Sequence, residues 1–200
     1  MLKILLIAGA LVALATSSWG ADFHKVFTGT ILPHEGEYTT ASNDPGNWTG
    51  GKVGKGKLNG TKYGIAAASF PKLDIKNLTI AQAEAIYRRD YWDAYHLGEL
   101  KSQGISEELC DEIVNGGLGM GRNLLFKVYD ELCWTGASPP PAAFNKTNIA
   151  WINQFTAVRD QRVAFYNSVR IKRVKYYVTL VEKRPKMRPY FLSWISRSVD

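Results

Sequence analysis

The chain has 200 residues, 46% of them hydrophobic and 22% charged, and carries a formal net charge of +7. That suits one globular domain, or one with a small appendage, and a core of useful size. No repeat recurs at solenoid or propeller periods, and two cysteines with three scattered histidines (His24, His34, His96) offer no zinc spacing. Neither a metal nor another cofactor is expected.

Residues 1–20, MLKILLIAGALVALATSSWG, read as a secretory signal peptide. Lys3 precedes an apolar run, and Ser18 and Gly20 are placed for cleavage before Ala21. The uncharged stretch 4–21 also reaches the lower limit for a membrane span, so a releasable anchor is the alternative. On either reading the folded part is exported, to the periplasm or outside the cell.

Residues 23–38 form a short helix or strand-like segment. From Thr39 to Gly64 the chain is rich in Gly, Asn, Lys and Thr, with turn signals every few residues, which predicts a long loop or β-hairpin region. Thr79 is placed to cap a helix running to Tyr95, with Ala81, Ala85, Ile86 and the Tyr87/Tyr91/Trp92/Tyr95 cluster on its buried side. Ser106 caps a second helix that Gly116 stops, and a third runs on to Gly136. SPPPAAFN breaks the chain, after which residues 147–182 read as one long or kinked basic helix, halted by Pro185 and Pro189. The fold class is mainly α, with one small β or irregular lobe and a C-terminal helical region.

An oxidising compartment would permit a Cys110–Cys133 disulfide. A hairpin folded about residue 118 sets Cys110 opposite residue 126 instead, which argues against it; the pairing stays open.

Positive charge is concentrated. Residues 151–200 hold eleven Lys/Arg against three Asp/Glu, whereas residues 1–150 hold fourteen against fifteen. A basic face attracts polyanions, and export favours an anionic cell envelope over nucleic acid. A solvated helix face with no partner is the plain alternative.

The acids in PHEGEY, Glu35 and Glu37, stand two apart and would not share a helix face. Glu35 follows an apolar segment, and Asp44 lies nine residues on in a polar loop. Such a pair can face across a cleft. Apolar surroundings would keep one acid protonated while polar solvation keeps the other ionised, the pairing that glycoside hydrolysis requires. Spacing alone carries this weakly, against helix-capping or loop roles.

The ordered set HEGEY, NDPG, TKYGI, RRDYWD and IVNGG resembles the glycoside hydrolase family 108 lysozymes, N-acetylmuramidases found as phage endolysins and wall-remodelling proteins. The resemblance implies a lysozyme-like helical domain over residues 21–137. It places the catalytic acid on Glu35, with Glu37 standing where the family has Gly, and the second carboxylate on Asp44. Thr61, in a TKYGI whose Lys62 replaces the usual Asn, would help place water. Tyr63, Tyr91, Trp92 and Asn115 are its candidate substrate-binding residues. Aromatic rings at 91 and 92 would stack on sugars or pack in the core, and Asn115 would bind an N-acetyl group or cap its helix. Residues 145–200, with RDQRVAFY and FLSWISR anchored by Trp194 and Arg197, are similar to that family's C-terminal peptidoglycan-binding region. The segment Asn47–Gly60 is longer than the family pattern.

The resulting expectation is a monomeric, exported peptidoglycan hydrolase that cleaves the β-1,4 bond between N-acetylmuramic acid and N-acetylglucosamine, without nucleic acid as partner. Two rivals are a wall-binding module without catalysis and a basic membrane-disrupting protein acting through its C-terminal helix.

Overall fold

A computed structural model describes residues 20–132 and 136–199. The expected leader, Gly20 apart, and Cys133 lie outside the described residues.

The described chain is mainly helical. Helix α1, Phe23–Val26, opens on Asp22, whose side chain accepts from the His24 amide at 2.9 Å. It runs on through a π turn, Phe27–Ile31, and a 3-10 turn, Leu32–His34. Phe23, Val26, Phe27 and Ile31 recur at helical spacing and are all buried. This amphipathic segment delivers Glu35 at its end.

The polar stretch that follows is a small lobe held mostly by backbone. Strand β1, Thr61–Lys62, pairs antiparallel with β2, Ile65–Ala66, while Thr39 bridges to Thr61 and Trp48 to Leu58. The long Asn47–Gly60 segment closes on itself. The Asn47 carbonyl accepts from the Asn59 amide at 2.9 Å and the Gly60 amide at 3.0 Å. The extra length is therefore a loop projecting from one point, and it leaves the Thr39–Thr61 pairing intact.

Helix α2, Ile80–Tyr87, starts at the expected Thr79, which forms a reciprocal capping box with Gln82. Its buried face is Ala83 and Tyr87; Ala81 and Ala85 are exposed. A π turn, Arg88–Trp92, and a 3-10 turn, Asp93–Tyr95, extend it to the left-handed His96.

Helix α3 spans Gln103–Leu132. Ser106 is not its cap. The helix begins earlier, and Ser106 is buried within it, its hydroxyl donating to the Leu97 and Ser102 carbonyls. The break falls at Gly117, φ 77° and ψ 171°, one residue past the expected stop. Cys110 is a fully buried free thiol.

The expected long basic helix is two: α4, Lys146–Phe155, capped by Asn145, and α5, Arg159–Lys183. Thr156–Val158 separates them, with the Thr156 hydroxyl bonded back to the Ile152 carbonyl. A 3-10 segment, Pro185–Tyr190, leads into α6, Phe191–Val199.

One hydrophobic cluster runs from Phe23 through Leu109 and Val128 to Phe165 and Val169, so the C-terminal helices share the core of the N-terminal ones. Polar ties reinforce it. The Asn153 side chain accepts from the Lys101 amide and donates to the Glu99 carbonyl, both at 2.8 Å.

Candidate active site

Glu35 leaves the α1 segment in extended conformation, φ −94° and ψ 133°, as the C-cap of the 3-10 turn. Its amide is tied to the Leu32 carbonyl at 3.2 Å. Its side chain is 18% exposed. Burial raises its pKa above the ordinary carboxylate value; Arg197 pulls it down, Asp111 pushes it up and His34 pulls it down. Glu37, two residues on, is exposed. The structure therefore separates the two acids: one is sheltered at the end of a helix, the other solvated.

The wall of the Glu35 site is the tip of the β1–β2 hairpin. Tyr63 and Gly64 form its two-residue turn, both with positive φ (49° and 71°), the geometry of a type I′ hairpin. A side chain at Gly64 would strike the Tyr87 hydroxyl and the Glu35 carboxylate, so only glycine lets the tip approach this closely. The Tyr63 amide donates to the Gly36 carbonyl at 2.8 Å, and its carbonyl accepts from the Tyr87 hydroxyl at 3.1 Å. Burial, then the Glu35 charge, raises the Tyr87 phenol, which stays a neutral donor.

Asp44 is exposed and caps the 3-10 turn Pro45–Asn47, its Oδ1 accepting from the Gly46 amide at 2.8 Å. Thr61 is half-buried, exchanges two 2.9 Å backbone bonds with Thr39, and pairs with Ala66 across the hairpin. The Gly46 carbonyl in turn accepts from the Ala68 amide at 3.0 Å. Backbone contacts thus link the Asp44 turn to the strands that bear Thr61, and those strands to the tip that covers Glu35.

Of the candidate sugar platforms, Tyr91 is half-buried beside Tyr87, ring centroids 5.5 Å apart, and its phenol is raised by burial, then by Asp90, Tyr95 and Glu35. Trp92 does not fit that role. It is 2% exposed, packed against Phe23 at 5.3 Å, and has no free face; it is a core residue. Asn115 uses its amide nitrogen on the Asp111 carbonyl and carboxylate, each at 2.9 Å, which is helix-internal bracing.

Sequence reasoning missed the charged cluster behind Glu35. Arg173 of α5 is 1% exposed and is bonded by Glu108, Asp111 and Glu112 of α3. Burial acts to lower its pKa, but the three carboxylates hold it raised. Arg197 of α6 donates to Asp111 Oδ1 at 3.1 Å and stands 3.9 Å from Glu35 Oε1. A cavity of about 300 Å³ lies against this cluster, bordered by Thr30, His34, Asp111 and Arg197. The missed signal was the spacing of Glu108, Asp111 and Glu112, at i, i+3 and i+4, which puts all three on one helix face.

An acid whose pKa burial raises, at a covered helix end, with a solvated carboxylate on an adjoining lobe, is equipped for acid-assisted cleavage of a glycosidic bond. No curated protein matches the chain. Residues 28–117 match the family described as Glycosyl hydrolase 108, a span that contains Glu35, Asp44, Thr61 and Tyr91. Residues 28–117 thus carry a glycosyl hydrolase 108 domain, which supports a glycoside hydrolase.

Proposed function

We propose that the chain is a peptidoglycan hydrolase, an N-acetylmuramidase that cleaves the β-1,4 bond between N-acetylmuramic acid and N-acetylglucosamine in host lysis or wall remodelling. The observation that carries this reading is the difference between two carboxyl environments. Glu35 is sheltered and its pKa is raised by burial, while Asp44 is exposed on a polar turn. Glu35 protonates the leaving glycosidic oxygen. Asp44 supports the cationic transition state or the attacking water, and the Thr61 hydroxyl orients that water. Tyr63 and Tyr91 supply aromatic faces to the sugars.

The protein acts after export. Among the described residues no helix is long and apolar enough to cross a membrane. The basic C-terminal helix holds the enzyme on the anionic envelope. In support, Lys127 of α3, Lys172, Lys175 and Lys183 of α5 and Arg184 just after it border one cavity of about 460 Å³. Replacing Lys175, Lys183 and Arg184 by Gln is expected to weaken retention on sacculi and flatten its salt dependence, with turnover of soluble chitooligosaccharide or muropeptide substrate kept. Equal loss in both assays would remove the envelope role.

Reducing-end release from purified peptidoglycan tests the main reading. Glu35→Gln is expected to lower release by about 10²-fold or more, the scale of a lost general acid. Glu37→Gln is expected to stay within about twofold of wild type. A wild-type chain that binds sacculi and releases no reducing ends would make it a wall-binding module. Lysis that survives Glu35→Gln would point to membrane disruption.

A further inference from the structure

The segment that matches the family ends at residue 117, yet the cation nearest Glu35 comes from α6. Arg197 is 8% exposed at its side chain. One Nη2 nitrogen lies 3.1 Å from Asp111 Oδ1 and 3.9 Å from Glu35 Oε1. The first is a charge-assisted hydrogen bond. The second is too long for one but short enough for a strong field. Its Nε is buried and donates no hydrogen bond among the described residues. Such a guanidinium is held by the charges it faces, not by full satisfaction of its donors.

Those charges are few. Facing Glu35 are His34 from its own segment, Asp111 from α3, Arg197 from α6, and the phenols Tyr87 and Tyr91 from α2 and the turn after it. Behind them, Arg173 binds Glu108, Asp111 and Glu112, and Arg170 reaches Glu108 at 3.4 Å. Arg170, Arg173 and Arg197 then balance Glu108, Asp111 and Glu112. Glu35 is the remaining acid, and the cluster is neutral when Glu35 carries its proton. Without Arg197, Asp111 would keep only one cation, Arg173 on its Oδ2, and its Oδ1 would lose the cation that stands between it and Glu35.

We propose that Arg197 is a positioning residue for Glu35, supplied by the C-terminal helix to complete a site whose acid lies in the family-matched segment. It fixes the carboxyl against the Gly64 tip and offsets Asp111, so that an acid whose pKa burial raises can still release its proton during the reaction. This rests on Glu35 being the acid. The Arg197 side chain is not the sole tie that holds α6. Trp194 stacks on Tyr177 at 5.2 Å and Tyr190 at 5.8 Å, and the Ser198 carbonyl accepts from Arg170 at 2.9 Å. A charge-free substitution at 197 should leave the helix docked.

The test uses the full chain as wild type, Arg197→Met and Arg197→Lys, with Arg197→Gln in place of Met should that variant fail to fold. Carbon-13 NMR follows the Glu35 carboxyl, assigned by its loss in Glu35→Gln, and reducing-end release from peptidoglycan is measured against pH. Removing the charge should move the Glu35 titration up by about one unit and carry the alkaline limb of activity with it. Turnover should fall about tenfold, more than KM rises, and Arg197→Lys should return the titration toward wild type. A folded charge-free variant with the wild-type titration and alkaline limb overturns the proposal and leaves Arg197 structural. The muramidase reading fails separately, by wild-type release from Glu35→Gln, and the NMR titration still decides the role of Arg197.

Discussion

At the scale of the residue, the carboxyl that serves best as an acid is the one the fold holds least comfortably when ionised. Burial raises the folded-state pKa of Glu35 above its ordinary 4.5. Below about pH 4.5 the group is protonated in both folded and unfolded chains and costs nothing. As pH climbs from there through the raised folded value, the unfolded chain loses its proton first, so stability falls; above the folded value the loss is constant. Gln mimics the protonated form. Glu35→Gln is therefore expected to exceed wild type by about 1 kcal/mol in urea unfolding near pH 8 and to match it near pH 3.5; an equal difference at both would contradict the assignment. The sheltering of Glu35 and the exposure of Glu37 were legible in the sequence because an apolar segment precedes one and a polar loop region follows the other. The core role of Trp92 was not. Tyr91 and Trp92 are neighbours, and only the π turn they share decides which ring turns inward.

At the scale of the element, two glycines separate stability from chemistry. Gly64 and Gly117 both have positive φ, 71° and 77°. A methyl group at Gly64 meets Tyr87 and Glu35, whereas nothing lies within 4 Å of one at Gly117. Each Ala variant is expected to lose about 1–3 kcal/mol. Only Gly64→Ala should also lose most of its reducing-end release when assayed well below its own melting temperature. Matched activity losses in the two variants would show that the tip does not set the site. The helices, the Thr79 cap and the hairpin lobe were legible from periodicity and turn residues. The start of α3 was not, since Ser106 has a good cap's chemistry while its hydroxyl is spent on the Leu97 and Ser102 carbonyls in the core. The bend at Thr156–Val158 was also hidden, because no Gly or Pro marks it.

At the scale of the whole molecule, Arg173 is the tie between halves. Its three carboxylate partners all sit on α3, and it sits on α5. Arg173→Met would strand those acids in the interior, and is expected to cost about 3–5 kcal/mol. Chemical denaturation of the wild type, followed by tryptophan fluorescence and by circular dichroism, should give one coincident transition, since a single core runs from Phe23 to Val169. Two separated transitions would show independent units. This tie was illegible because acids on one helix and an arginine in a general basic tail give no sign of pairing until α3 and α5 pack together. It also bears on timing. Ribosomes make protein from the amino end, so Glu35 emerges long before Arg197, its partner 162 positions later. A nascent or interrupted chain can hold the family-matched segment without a finished site. The hydrolase would gain its full activity only once α6 has been made and docked, which delays the onset of cleavage until well after its acid has left the ribosome.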